Sequence, residues 1–331
     1  MSQGGGVLVT GGSGFVGAYI VADLVDAGYE VTVLDVSEPN AQGRFILGDR
    51  HEKVHYEKGS IDDWSFVIDV MSRCKPRYVI HTASIMNPYI MMKNPLPGIR
   101  VNLDGTIVVL EAMRLLGGVE RLVYFSSIGV LPTIQYEPVD AAHPLILPRE
   151  GLPTGMYGAT KLAGEAFCFA YHQAFGVEFR VIRPSAVYGF GMQWPMFVKP
   201  MVEGALAGND VHFESGAKFP RDYTHAADIA SLTMALLTAP DEADRVFYGA
   251  TGAPMVTAGE VAQIVMEEIP GSNITIEDRF TDADRMELPY RGRLSVESNR
   301  SQLGWEPAYD IRAGVRHFIE ASRRFGDSGR S

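Results

Sequence analysis

Apolar residues in the first half of the chain gather in short runs separated by longer stretches with helical spacing. "GVLVT" (6–10), "EVTVLD" (30–35), "KVHYEKG" (53–59), "YVIHTA" (78–83), "RLVYFSS" (121–127) and "FRVIRP" (179–184) are rich in β-branched and aromatic residues and predict strands. Between them lie helical patterns such as "VGAYIVADLVDAG" (16–28), which ends on a glycine suited to a helix C-terminus. Strands alternating with helices predict a parallel sheet covered on both faces. After about residue 187 the regularity breaks. "GFGMQWPMFVKP" mixes glycine, proline and large apolar residues, and 251–310 holds only short, irregular elements.

The expected fold class is therefore α/β, a Rossmann-type doubly wound parallel sheet with a smaller, irregular C-terminal substrate-binding part. Residues 1–187 plus about 222–250 are assigned to the sheet domain, and 188–221 plus 251–325 to the smaller part. Residues 326–331 are read as a loose tail. In the stretch 157–175, Leu162, Ala163, Ala166, Phe167, Phe169, Ala170 and Phe175 spread apolar surface around much of a helix, which calls for a second partner beyond the sheet.

Composition narrows the function classes. The 331 residues are 46% hydrophobic and 21% charged, as in ordinary globular proteins, and the net charge of −11 argues against nucleic-acid binding. No basic and apolar leader opens the chain, and no apolar run approaches the ~20 residues of a membrane helix, so the expected location is cytoplasmic and off the membrane. Cys74 and Cys168, far apart, suggest neither disulfide nor cysteine-based metal site. "HEKVH" (51–55) matches a zinc-protease pattern that works only on a helix. On the strand predicted here, residues four apart lie ~13 Å from each other at about 3.3 Å per residue, so no metal is assigned.

"VLVTGGSGFVG" sets Gly11, Gly12, Gly14 and Gly17 between a strand and a helix, the context in which glycines let the backbone approach a pyrophosphate at a helix N-terminus. Asp35 ends the next strand, where a carboxylate can accept hydrogen bonds from an adenosine ribose. No arginine follows it in "DVSEPN", which favours NAD over NADP.

"YGATK" (157–161) sets Tyr157 and Lys161 one helical turn apart, and "YFSSIGV" brings Ser127 to the end of a strand. With the glycine loop and Asp35, in this order, the chain resembles the extended short-chain dehydrogenase/reductase superfamily, specifically its NAD-dependent epimerase/dehydratase branch. "VIHTAS", "VNLDGT", "RPSAVYG", "RDYTHAADIA" and "LGWEP" extend the likeness over nearly the whole chain. The resemblance implies that Tyr157 is the acid/base, that Lys161 holds the nicotinamide ribose and lowers the tyrosine pKa, and that Ser127 rather than Ser126 binds the reacting oxygen. It also implies cofactor contacts at Phe15 and Val16 beside the glycines, at Ser60 and Ile61, at Thr82, Ala83, Ser84 and Asn102, and at Pro184. Family members pair two helices across a dimer, here 101–116 and 157–175, which implies a homodimer.

Three departures bear on the reaction. Ile128 and Gly129 stand where 4,6-dehydratases of the family carry Asp-Glu. Ala186 replaces an asparagine common in the nucleotide-sugar enzymes. In the apolar loop 84–96, Met91 falls near a sugar-binding serine of the family. Arg221, at the family's diphosphate position, and Arg291 in "YRGR" favour an anionic substrate, with Asp222 or Asp228 as the alternative partners of Arg221. Met86, Ile128, Ala186 and Trp194 complete the expected substrate contacts. The leading expectation is NAD-dependent hydride transfer at a secondary hydroxyl of a sugar-like substrate, as in an epimerase. A net dehydrogenase acting on a small non-nucleotide alcohol is the alternative, and a non-catalytic NAD-binding regulator a third reading.

Overall fold

The computed structural model describes residues 5–145 and 155–328, with Pro88 and Tyr89 described as backbone only. The six predicted runs form strands β1 (Gly6–Thr10), β2 (Glu30–Asp35), β3 (Val54–Lys58), β4 (Tyr78–His81), β5 (Arg121–Phe125) and β6 (Phe179–Pro184). A seventh, β7 (Val246–Gly249), is one that the sequence pattern did not announce. The order across the sheet is β7-β6-β5-β4-β1-β2-β3, and every neighbouring pair is parallel. The order reverses between β1 and β4, so the carboxyl ends of those strands open a crevice, the usual ligand position in such sheets.

Successive residues of the central strands serve opposite faces. Val7 and Val9 pack in one core with Ile80, Val123 and helix α1 (Phe15–Asp26), while Leu8 packs in the other with Val79, Leu122, Tyr124 and helix α2 (Gly105–Leu116). Helix α3 (Gly155–Phe175) turns Gly158, Lys161, Gly164, Glu165 and Cys168 inward. A Cβ at Gly164 would lie 2.1 Å from the hydroxyl oxygen of the fully buried Tyr124, so the absence of a side chain there lets the helix sit down on β5. Glu165 forms a buried ion pair with Arg183 of β6, at 2.6 Å, which ties the same helix to the sheet.

A third core, built from Tyr188, Phe190, Val198, Met201, Val261, Val315 and Phe318, gathers the irregular segments and helix α4 (Ile311–Ser328). Two details differ from the sequence reading. Leu294, Val296 and Trp305 return to the sheet-side core although they fall within 251–325, because the chain there packs back beside β7 and buries its apolar residues against it. Helix α4 continues through Ser328, past the expected start of a loose tail at 326, and residues 329–331 lie outside the described residues. The outer faces of α2 and α3 leave Leu115, Leu116, Phe167, Phe169 and Phe175 exposed. Among the described residues no helix is long and apolar enough to cross a membrane. His51 lies in a short 3-10 turn and His55 on β3, where its ring pairs with Glu57.

The seat of α3 gives a direct test. Gly164→Ala forces the Tyr124 ring to move and lowers stability by about 1–3 kcal/mol, with part of the loss recovered when Tyr124→Phe is added. Chemical denaturation measures both, and an unchanged midpoint for Gly164→Ala would show that the helix does not rest on Tyr124.

Candidate active site

Ser127 leaves β5 in extended conformation and caps the turn Ile128–Val130, its Oγ accepting the Gly129 amide at 3.0 Å. That bond occupies a lone pair and leaves the serine proton free to donate. Tyr157, in the first turn of α3, shares hydrogen bonds with the hydroxyls of Ser127 and Ser84. Lys161, one turn on, donates from Nζ to the Phe125 carbonyl at 2.8 Å and lies 5.9 Å from the centre of the Tyr157 ring. Ser126, by contrast, points its hydroxyl into the interior with no partner among the described residues. The structure thus brings Ser127, Tyr157 and Lys161 together at the carboxyl edge of the sheet.

Burial pushes the Tyr157 phenol up to about 12, and the hydrogen bonds from Ser127 and Ser84 hold it back. Burial also brings Lys161 down to about 7, against the opposing influence of Cys168 and Glu165. Ser127 and Ser84 are the hydrogen-bonding groups that favour the phenolate here.

Residues 82–85 are locked from behind. Thr82 Oγ1 donates to the Thr10 carbonyl at 2.7 Å, and the Ala83 amide reaches Thr10 Oγ1 at 3.4 Å. Asn102 lies on a π-helical turn, Arg100–Asp104, and is fully buried. Its Oδ1 accepts from the Ile85 amide and the Ser84 hydroxyl, and its Nδ2 donates to the Ile85 carbonyl and to Thr160 of α3. The amide is wholly engaged within the protein. Asn102 thus clamps the loop that carries Ser84 to the helix that carries Tyr157, and Ser84, expected on the cofactor, stands against the tyrosine.

The glycine loop fits a dinucleotide. Gly11 has φ +72°, and a Cβ there would lie 2.7 Å from the Ala83 amide nitrogen; one at Gly17 would lie 2.5 Å from the Gly11 carbonyl. Gly14 caps α1 without a side chain, which leaves the first-turn amides around Phe15 and Val16 facing outward for phosphate oxygens. Asp35 Oδ2 accepts the Ser13 amide at 3.1 Å and Oδ1 the Ser37 amide at 3.3 Å, which ties the loop to the end of β2. Beside it, Ser13, Gly14, Phe15, Ser37, Glu38 and Gln193 line a cavity of about 160 Å³. Arg44 approaches this edge but is held by Glu38 at 2.6 Å and by the Pro39 carbonyl, so the local cation is already paired. Ser60 is hydrogen-bonded to Asp62, Ile61 packs its side chain into the core against Gly105, and Pro184 ends β6 at the same sheet edge.

The other end is a narrow cleft lined by Ile128, Leu131, Ala186, Arg221, Tyr290 and Arg291, among others. Ile128 directly follows Ser127 in the chain. Neither aspartate holds Arg221. Asp222 accepts from Ser185, Thr224 and Thr251, and Asp228 from the Ala308 and Tyr309 amides. The ionic partner is Glu287, 3.8 Å from Arg221 and 2.5 Å from Arg291. Two expected contacts stand apart from this cleft: Met86 is 56% exposed and Trp194 is not part of the lining. Met91 is buried, its sulfur packed on Gly98.

Residues 7–248 match the NAD dependent epimerase/dehydratase family. The bovine UDP-glucose 4-epimerase is 31% identical over 299 residues, 81% of this chain and 83% of the relative. The chain belongs to the NAD dependent epimerase/dehydratase family. The UDP-glucose 4-epimerase of Mycolicibacterium smegmatis is 26% identical over 96% of this chain and 98% of its own. The crystal structure of Thermus thermophilus UDP-glucose 4-epimerase in complex with NAD superposes with a TM-score of 0.78 at 27% identity, over 96% of this chain and 99% of that one.

For a member of this epimerase/dehydratase family, three parts of the site escape sequence reading. The role of Ser84 beside Tyr157, the engaged amide of Asn102 and the carboxylate of Glu287 on the arginines all depend on contacts between distant segments. No periodicity or spacing signals them. The lowered Lys161 pKa has a measurable consequence. Between about 7 in the folded state and 10.5 in the unfolded one, the unfolded chain holds more protons at this site, so Lys161 adds stability as pH rises through that window. Urea denaturation of NAD-free protein at pH 7 and pH 9 measures it. The wild type gains on Lys161→Met by up to about 1.4 kcal/mol per pH unit, and parallel curves would contradict the assignment.

Proposed function

We propose that the chain is an NAD-dependent epimerase acting on a nucleoside diphosphate sugar, inverting a secondary hydroxyl as its UDP-glucose 4-epimerase relatives do. The observation that carries this reading is that Ile128, the residue directly after Ser127, lines one narrow cleft together with Arg221 and Arg291, two guanidiniums suited to a diphosphate.

Ser127 donates to the substrate oxygen and orients it, while Tyr157 accepts the hydroxyl proton as the carbonyl forms and later returns it. Bound NAD supplies the acceptor, and afterwards the donor, of the hydride. Lys161, fixed by the Phe125 carbonyl, stands where it can hold the nicotinamide ribose. Arg221 and Arg291 tether the substrate by its anionic end. Ile128, Leu131 and Ala186 line the same cleft and offer no hydrogen bonds from their side chains. A keto-sugar held at one end and loosely contacted at the other can turn its opposite face to the same hydride. The missing asparagine at 186 thus favours rotation over a fixed grip.

The test is the interconversion of UDP-glucose and UDP-galactose by NAD-loaded protein with no net absorbance change at 340 nm. Tyr157→Phe lowers the rate by about 10²–10⁴-fold while NAD binding is retained. Stoichiometric NADH production from a small hydroxy acid or amino alcohol would instead support the dehydrogenase alternative.

A homodimer through 101–116 and 157–175 belongs to the same proposal. It is supported by the exposed apolar residues on α2 and α3, with Leu115 51% and Phe175 56% exposed. Sedimentation at micromolar concentration measures a dimer that Phe169→Glu with Phe175→Glu converts to monomer; a monomeric wild type would refute it.

A further inference from the structure

Beside its two arginines the cleft holds a carboxylate, Glu287. Arg221 and Arg291 both lie over the Phe219 ring, 4.8 and 5.6 Å from its centre, and burial, then the nearby Arg291, disfavours the charged form of Arg221. Neither Nε has a hydrogen-bond partner among the described residues. Between the two stands a single carboxylate. Glu287 Oε2 is 2.5 Å from Arg291 Nη2 but 3.8 Å from Arg221 Nη2, an ion pair at both and hydrogen-bonding distance at only one. Among the described ion pairs the two cations share one carboxylate, and only Arg291 meets it at hydrogen-bonding distance.

Among the described residues, the two other carboxylates closest in the chain to this seat are held elsewhere. Asp222 is occupied by Ser185, Thr224 and Thr251, and Asp284 by the amide and hydroxyl of Thr281, both at 2.8 Å. Glu287 itself ends the short helix Asp282–Glu287 and is 37% exposed at its side chain. It can rotate to water at little cost, because a half-exposed carboxylate recovers its hydration when it leaves.

We propose that Glu287 is a built-in competitor at this seat, displaced by a ligand group that carries at least two negative charges and resisting one that carries a single charge. This rests on the reading of Arg221 and Arg291 as the diphosphate-binding end. A monoanion exchanges one carboxylate-like partner for another and gains nothing. A diphosphate places oxygens on both guanidiniums at once, including the one that Glu287 does not meet at hydrogen-bonding distance. The carboxylate thereby sets a charge threshold for the substrate. It also keeps the arginine pair from repelling itself before the substrate arrives.

Isothermal titration of the NAD-loaded full chain tests this with two probes, UDP and inorganic pyrophosphate, on the wild type, Glu287→Gln and Glu287→Ala. Both substitutions tighten pyrophosphate and UDP on the order of fivefold at low salt, and the gain shrinks as salt rises. Unchanged or weaker pyrophosphate binding in both variants overturns the proposal and makes Glu287 a prop for Arg291. Wild-type UDP binding that neither substitution improves leaves the nucleotide-sugar reading standing and removes the competitor. Tightened pyrophosphate with UDP bound no better than pyrophosphate supports the competitor and removes the nucleotide. Failure of both probes to bind any of the three proteins overturns both.

Discussion

The hydrogen bond from Lys161 Nζ to the Phe125 carbonyl fixes helix α3 against the end of the sheet. A fully buried ammonium has few ways to be satisfied, and here the carbonyl that closes β5 accepts from it. The bond sets the rotation of α3 about its own axis. Tyr157 then necessarily lies one turn back, over Ser127, which follows Phe125 by two residues. Gly164 allows the approach because no Cβ stands between the helix and Tyr124, and the Glu165–Arg183 pair holds the next turn. Lys161, Gly164 and Glu165 thus act on a single geometric quantity, the depth at which α3 sits.

Behind that helix the polar interior is arranged in series. Thr10 Oγ1 meets His81 Nδ1 at 2.7 Å, His81 Nε2 meets Thr106 Oγ1 at 3.1 Å, and Thr106 donates to the Asn102 carbonyl at 2.7 Å. The Thr106 hydroxyl has spent its one proton, so His81 carries hydrogen on Nε2 and accepts at Nδ1. Burial and the nearby Lys161 bring His81 down to about 3, and the neutral ring that results keeps this pattern. The chain links the end of β1 to the π-helical turn that presents Asn102, and from there to Ser84 and Thr160. The end of β1 and the helix that carries Tyr157 are therefore parts of one buried network.

The two regions differ in kind. Around Tyr157 the neighbouring groups are hydroxyls and a buried lysine. Around Arg221 and Arg291 they are charged, and Ile128, Leu131 and Ala186 add apolar side chains to the same cleft.

The strands β1 to β6 and the glycine loop were legible in the chain because strand periodicity, glycine spacing and a helix start are local properties, each set within a few residues, whereas their order across the sheet came only from the tertiary structure. Tyr157 and Lys161 were legible for the same reason, since one helical turn separates them. The strand β7 was not, for Val246–Gly249 carries too short a pattern to stand out. Nor were the partners of Asn102, Ser84 and Arg221, or the return of Trp305 to the sheet-side core. Those contacts join residues tens of positions apart, and which of several nearby carboxylates meets an arginine depends on how the segments dock. Local sequence determined the elements and the chemistry each one carries. Only the packing of distant segments decided which hydroxyl faces the tyrosine, which amide is consumed in a clamp and which carboxylate sits on the arginines, because burial and hydrogen-bond satisfaction are settled by the whole fold at once.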